Sequence, residues 1–200
     1  MTRRACILRR LNFGGDLVCR LAGDDFRQAW DKVFGAILPV GYVLREACGD
    51  RWARFHSLPD AKRFSQTNGE DRLVLGRANQ LACDMFGTKN SVWLCVLGTG
   101  SYAREQRLPV AFSAPLDAQS DDAFVMPFHA CVVDWKSGAF DDLFLAIAED
   151  RERALFFDPD CGRVMAPYDG GFDLIWEDVA QMVASKQTHI DWLPDNSEGL

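Results

Sequence analysis

A basic cluster lies in the stretch R-F-H-S-L-P-D-A-K-R, where Arg54, His56, Lys62 and Arg63 surround Ser57. Guanidinium, ammonium and hydroxyl groups are the usual donors to phosphate and other anions, so this cluster is a candidate anion-binding site. The alternative is structural: the cluster ends a strand and caps the next helix, or pairs with acidic residues. No glycine-rich phosphate loop accompanies it, which favours the structural interpretation.

Two carboxylates, Asp169 and Asp173, lie in the segment Y-D-G-G-F-D. Acid–base chemistry needs such groups close together, and they could face the basic cluster across a cleft. Asp-Gly-Gly is also the composition of a tight turn, in which the aspartate accepts hydrogen bonds from the backbone. The turn interpretation is favoured, with Asp173 then capping or neutralising a helix start.

Two further motifs give weaker signals. The segment G-T-G-S at 98–101 follows a strand as a nucleotide-binding loop does, but it lacks the lysine and the full glycine spacing. His129 and Cys131 would share one face of a strand, yet a cysteine nucleophile needs a third, orienting group and none is evident. Seven cysteines and three histidines are scattered without metal-ligand spacing. No catalytic residue, metal site or cofactor is therefore predicted.

Cysteine usage and hydropathy predict a cytoplasmic protein. The cysteines are odd in number, never form a C-x-x-C pair and often lie in apolar stretches, which is typical of a reducing compartment. Apolar runs such as Leu143–Ala148 are far shorter than the ~20 residues of a membrane span. The basic N-terminus lacks the apolar region of a secretory signal.

Charge is distributed unevenly along the chain. Residues 1–114 hold 17 basic and 11 acidic residues, a net charge of +6, whereas residues 115–200 hold 5 and 18, a net charge of −13. An acidic surface repels nucleic acid and attracts a basic protein partner. The alternative is an ordinary solvated surface that pairs partly with the basic half.

Six residues of the acidic region are candidates for partner binding, since tryptophan is enriched at interface hot spots. They are Asp169, Asp173, Trp176, Glu177, Asp178 and Trp192. No basic stripe with interleaved aromatic residues is present, which argues against nucleic-acid binding.

Periodicity predicts alternating helices and short strands. Helices are predicted at about 26–37, 69–86 and 140–149, and residues 172–176 lead into a last helix that runs through about residue 187. Strands are predicted at 41–46, 51–56, 91–97, 128–135, 153–157 and 163–168. The second strand pairs with the first as a hairpin, as do the last two, and 99–124 is a connecting loop with one short strand. The sequence predicts an α+β fold, a largely antiparallel sheet with helices packed mainly on one face. Residues 1–200 form one domain, with 1–23 as an N-terminal extension.

Several segments together resemble a bacterial family known as a domain of unknown function. They are P-V-G-Y-V-L-R at 39–45, R-W-A-R-F-H-S-L-P at 51–59 followed by K-R-F at 62–64, A-P-Y-D-G-G-F-D-L-I at 166–175, D-W-L at 191–193 and the closing Gly199-Leu200. The resemblance runs from about residue 37 to the end and implies a shared α+β fold, but no reaction. Phe64, Ala166 and Pro194 stand where the family pattern has tyrosine, histidine and serine. If that histidine has a chemical role in relatives, this chain lacks it.

The leading hypothesis is a cytosolic protein-binding module, an immunity protein that neutralises a cognate bacterial toxin by occlusion. It depends on the acidic region and on the immunity role that the family resemblance implies. The alternative is a small enzyme or an anion or small-ligand binder that uses Arg54, His56, Lys62 and Arg63. A deep pocket lined by those side chains favours the alternative, and a flat acidic face favours the leading hypothesis.

Overall fold

The computed structural model describes residues 8–13, 15–20, 23–87, 91–98, 100–116 and 124–195; residues 1–7 and the closing Gly199-Leu200 lie outside it. The strands are β1 Leu8–Phe13, β2 Gly15–Arg20, β3 Trp52–His56, β4 Val92–Leu97, β5 Val110–Pro115, β6 Val125–Val133, β7 Ala154–Asp158, β8 Arg163–Tyr168 and β9 Gly171–Ile175. The helices are α1 Gly23–Phe34, α2 Gly41–Ala47, α3 Asn68–Phe86, α4 Ser101–Glu105, α5 Asp141–Ala148 and α6 Val179–Thr188. Within these ranges, no helix has both the length and the apolarity needed to cross a bilayer. The protein has an α+β fold, as predicted.

The nine strands form one sheet in the order β1-β2-β6-β4-β7-β8-β9-β3, and β5 pairs with the first half of β6. Every pairing between these strands is antiparallel, which confirms the predicted type of sheet. The predicted hairpin near the C-terminus is confirmed as β7 and β8. Gly162 lies in its turn with φ +69°, a left-handed conformation that glycine tolerates because it has no Cβ. The Y-D-G-G-F-D segment forms the next hairpin, from β8 to β9.

Helices cover both faces of the sheet. Side chains alternate along β4, so that Val92, Leu94 and Val96 enter one apolar layer and Trp93, Cys95 and Leu97 enter the other. Helices α3, α4, α5 and α6 contribute to the first layer, and α1 and α2 contribute to the second. The prediction that helices lie mainly on one face therefore describes four of the six, while the layer built by α1 and α2 was not predicted.

Residues 41–46, predicted as a strand, form helix α2 instead. Val40, Leu44 and Cys48 are buried at 8, 1 and 5% exposure, and their spacing of four residues is helical rather than alternating. The segment is short and rich in β-branched and aromatic residues, whose strand preference outweighed that spacing in the prediction. Strand β3 pairs with β9 instead, and this register places Arg54 opposite Asp173.

Two other regions hold more regular structure than predicted. In the N-terminal extension, Leu8–Phe13 and Gly15–Arg20 form the antiparallel strands β1 and β2, which join the sheet through the pairing of β2 with β6. The stretch 99–124, predicted as a loop with one short strand, contains β5 and also the short helix α4. Thr99 and residues 117–123 of that stretch lie outside the described residues.

Candidate functional site

A cavity of about 420 Å³ opens on the face of the sheet that carries α1 and α2. Its floor is apolar and consists of Cys95, Leu97, Leu155 and Ala166. Its walls carry seven charged side chains: Arg54, Arg63, Asp150, Glu152, Arg153, Asp169 and Asp173. Helix α2 begins against this site, because a Cβ added to Gly41 would lie 3.2 Å from Ala166 Cβ. An apolar floor with a few converging polar groups is the usual form of a small-molecule site.

Arg54 and Asp173 form a buried ion pair in the cavity wall. Arg54 Nε and Nη2 donate to Asp173 Oδ1 and Oδ2 at 2.8 and 2.9 Å, and Trp52 Nε1 donates to Oδ1 at 3.1 Å. The Arg54 and Asp173 side chains are 12 and 7% exposed. Burial acts to lower the pKa of Arg54, but the hydrogen bond and charge of Asp173 outweigh it and leave that pKa above its ordinary value. Arg54 is therefore charged, and its two hydrogen bonds to Asp173 hold the pair in a fixed geometry.

Tyr168 lies beside this pair and lines the same cavity. The Arg54 guanidinium carbon lies 4.7 Å from the centroid of the Tyr168 ring and 5.5 Å from that of Trp52. Burial, aided by the charges of Asp173 and Asp169, raises the pKa of Tyr168 to about 12, although Arg54 opposes this shift. The neutral phenol can therefore donate or accept a hydrogen bond at physiological pH.

Arg63 and Asp169 form a second ion pair at the cavity, between the loop after β3 and the β8–β9 turn. The Arg63 side chain is 64% exposed, whereas that of Asp169 is 11% exposed. Each ion pair joins an arginine of the predicted basic cluster to an aspartate of the Y-D-G-G-F-D segment. The structure therefore brings these two predicted groups of residues together. Because each arginine already has its own carboxylate, the wall carries no surplus positive charge.

The other two members of the basic cluster lie outside the cavity wall. Lys62 Nζ is 2.5 Å from Glu70 Oε1, which ties the loop to the first turn of α3. Burial and the charge of Arg54 lower the pKa of His56, so its imidazole is mainly neutral at pH 7. The four predicted anion-binding residues are thus dispersed into two pairs with aspartates, one pair with a glutamate and one neutral ring.

Glu152 is a cavity residue that no sequence pattern predicted. Its Oε1 accepts a hydrogen bond from the Tyr102 backbone N–H at 2.9 Å and from Ser101 Oγ at 3.2 Å. Gly100 leaves room for this carboxylate, because an added Cβ would lie 2.1 Å from Oε2. The G-T-G-S segment therefore begins helix α4 around the chain's own carboxylate. A single acidic residue between Arg151 and Arg153 has no pattern that marks it as a site.

The His129 and Cys131 pair lies away from the cavity. Cys131 is 0% exposed in the opposite layer, and His129 Nδ1 lies 3.0 Å from the Leu108 carbonyl oxygen. In the part of the chain that is described, no group of three or more His, Cys, Asp or Glu side chains could hold a metal ion.

The six partner-binding candidates fall in different environments. Besides the two aspartates of the cavity, Trp176 is buried at 5% exposure and Trp192 is half-buried, with its ring centroid 4.2 Å from that of His189. Glu177 and Asp178 are exposed at the start of α6. Asp178 caps that helix by accepting from the Gln181 backbone N–H at 2.8 Å. The candidates thus divide between the cavity wall, the packed interior and one exposed helix start.

Eleven of the twenty residues that line the cavity come from the segments 39–45, 51–59, 62–64 and 166–175, which carry the family resemblance. Residues 40–197 match the model of a family described as Domain of unknown function (DUF3885). No curated protein and no solved structure matches the sequence. The family match includes most of the cavity and its two ion pairs. The chain belongs to the DUF3885 family.

Proposed function

We propose that the protein binds a small, mainly apolar ligand, neutral or singly cationic, in the cavity between Arg54, Tyr168 and Asp173. One observation carries this proposal: the start of α2, the β3 region and the β8–β9 hairpin all line one cavity, and its wall contains a buried ion pair. A volume of about 420 Å³ falls within the range of small-molecule sites. The apolar floor supplies contact area, and the polar wall supplies orientation.

The charge of the wall indicates the class of ligand. Three arginines face four carboxylates, which gives the cavity a net charge of −1. A phosphate would have to compete with Asp173 and Asp169 for arginines that they already neutralise, so anion binding is disfavoured. An amine or hydroxyl can instead use lone pairs that remain on these carboxylates and on the Tyr168 oxygen.

Binding rather than catalysis is proposed because of the residue types present. No histidine, serine or threonine is among the described residues of the wall. The thiol of Cys95, on the cavity floor, is 2% exposed, and burial raises its pKa, so the reactive thiolate is scarce.

A panel of small probes tests the proposal by thermal-shift measurement. Benzyl alcohol and phenethylamine represent the neutral and cationic classes, and phenylacetate, inorganic phosphate and adenosine monophosphate represent anions. We expect the melting temperature to rise with the first two and to stay unchanged with the anions. Stabilisation by the anions alone would overturn the proposed ligand class.

Two variants connect any such response to the cavity. Leu97→Phe fills the floor at a side chain that is 9% exposed, and it should abolish the shift caused by phenethylamine. Val110→Phe enlarges a side chain that is 53% exposed on β5, outside the cavity, and should leave the shift intact. Equal responses in both variants would place binding elsewhere.

Recognition of a basic protein, as by an immunity protein that occludes a toxin, is the second candidate function. It is supported by the net charge of −13 in residues 115–200 and by the exposed carboxylates of Glu177 and Asp178. The test uses the product of the neighbouring reading frame, mixed with this protein at low and high salt. A complex that weakens with salt and is lost in Glu177→Lys/Asp178→Lys supports the proposal, and the absence of any complex contradicts it.

A further inference from the structure

We infer that the Arg63–Asp169 ion pair is a gate at the mouth of the cavity, an inference that rests on the proposed ligand-binding function of this site. The two arginine–aspartate pairs of the wall differ in burial. The Arg54 side chain is 12% exposed, whereas that of Arg63 is 64% exposed. The inner pair is a fixed part of the wall, and the outer pair lies where a ligand would enter.

The segment that carries Arg63 forms a short strap between β3 and α3. Asp60 and Ala61, which precede it, have φ values of +55° and +52°, in a left-handed region that such residues seldom occupy. The strap is held at its start by the bond from the Ser57 backbone N–H to the Gly170 carbonyl at 3.1 Å. It is held next to Arg63 by the Lys62–Glu70 pair. Arg63 adds a second contact between the strap and the β8–β9 turn, at the cavity itself.

Opening this contact would change two properties of the cavity. The Asp169 carboxylate, 11% exposed beneath Arg63, would become accessible to a donor group of the ligand. The floor would also become more accessible to solvent. Cys95 reports on the second change, because its side chain lines the floor and is 2% exposed in the closed state.

The experiment measures how fast methyl methanethiosulfonate modifies each cysteine, resolved by peptide mass spectrometry. In Arg63→Gln we expect Cys95 to react about two- to fivefold faster, the range that corresponds to loss of an exposed ion pair. Asp169→Asn breaks the same contact from the other side and should give a similar acceleration. Added salt should accelerate the reaction in the unaltered protein but not in Arg63→Gln, because salt screens an exposed pair.

Two controls separate gating from general loosening. Cys131, 0% exposed in the opposite layer, should keep its rate in every variant. Arg27→Gln removes a surface pair with Asp31 at 2.7 Å, outside the cavity, and should leave the Cys95 rate unchanged. An unchanged Cys95 rate in Arg63→Gln, or a joint rise of Cys95 and Cys131, would overturn the gate. The modification assay contains no ligand, so its result is independent of the thermal-shift panel. If no probe raises the melting temperature but Cys95 still reacts faster in Arg63→Gln, the proposed ligand class is rejected and the gate is supported.

Discussion

Replacement of Asp173 by asparagine removes the charge that neutralises Arg54 but keeps the shape of the side chain. The two side chains are 7 and 12% exposed, and three hydrogen bonds end on the carboxylate. The amide that replaces it can direct only one oxygen at these donors, and its NH₂ group faces a guanidinium N–H. Loss of one partner from a buried ion pair costs about 3–5 kcal/mol. Because Arg54 keeps some exposure to solvent, we expect the free energy of unfolding to fall by about 3 kcal/mol, the lower end of that range.

Urea unfolding, followed by far-ultraviolet circular dichroism, measures this loss. The double variant Arg54→Met/Asp173→Leu leaves no unpaired charge, so it should be less destabilised than Asp173→Asn alone. Asp31→Asn is the matched control, because it breaks an exposed pair worth about 0–1 kcal/mol. If Asp173→Asn costs no more than Asp31→Asn, or if the double variant is the least stable of all, the Arg54–Asp173 pair is not the buried, fixed element described above.

Three further predictions concern titration and packing. Because the pKa of Tyr168 is raised from 10.0 to about 12, the stability that its neutral phenol contributes is complete below pH 10 and disappears as the pH rises through 12. Phenolate absorbance should therefore show a titration step near pH 12 that Tyr168→Phe removes. The absence of that step in the unaltered protein would contradict this. Because the pKa of His56 is lowered from 6.5, its contribution is complete above pH 6.5 and disappears as the pH falls through the lower folded value; an NMR titration midpoint at or above 6.5 would refute this. Gly100→Ala should lower the free energy of unfolding in urea by about 1–3 kcal/mol, because its Cβ would overlap the Glu152 carboxylate. Gly76→Ala, which has open space on helix α3, should raise that free energy by about 0.5–1 kcal/mol. Equal effects of the two variants would show that Glu152 moves freely.

Local patterns in the sequence predicted most of the fold. The apolar run V-W-L-C-V-L became the central strand β4, and the turn-rich residues 158–162 joined β7 to β8 as predicted. The prediction was wrong for residues 41–46, where a short helix has too few turns for its period to stand out against strand-forming residues. The α1–α2 layer also escaped prediction, although the unbroken apolar run of β4 is the pattern of a strand that is buried on both faces.

The candidate site could be predicted only in part. Arg54, Arg63, Asp169 and Asp173 were all selected by residue type, but the pairing of Arg54 with Asp173 spans 119 positions and depends on the β3–β9 register. Charge counts treated the two aspartates as parts of an acidic surface, because a count does not tell which carboxylates turn inward. Glu152 had no local signal, since its role comes from a helix that starts some fifty residues earlier.

The most direct test of the ligand-binding site is an NMR titration of the isotope-labelled protein with phenethylamine. A ligand in the cavity should shift the amide signals of Leu155, Ala166 and Tyr168 together, with a saturation curve common to all three. Shifts confined to the open groove beside Gly76 and Asn79, or no saturable shift at the cavity, would contradict the proposed site.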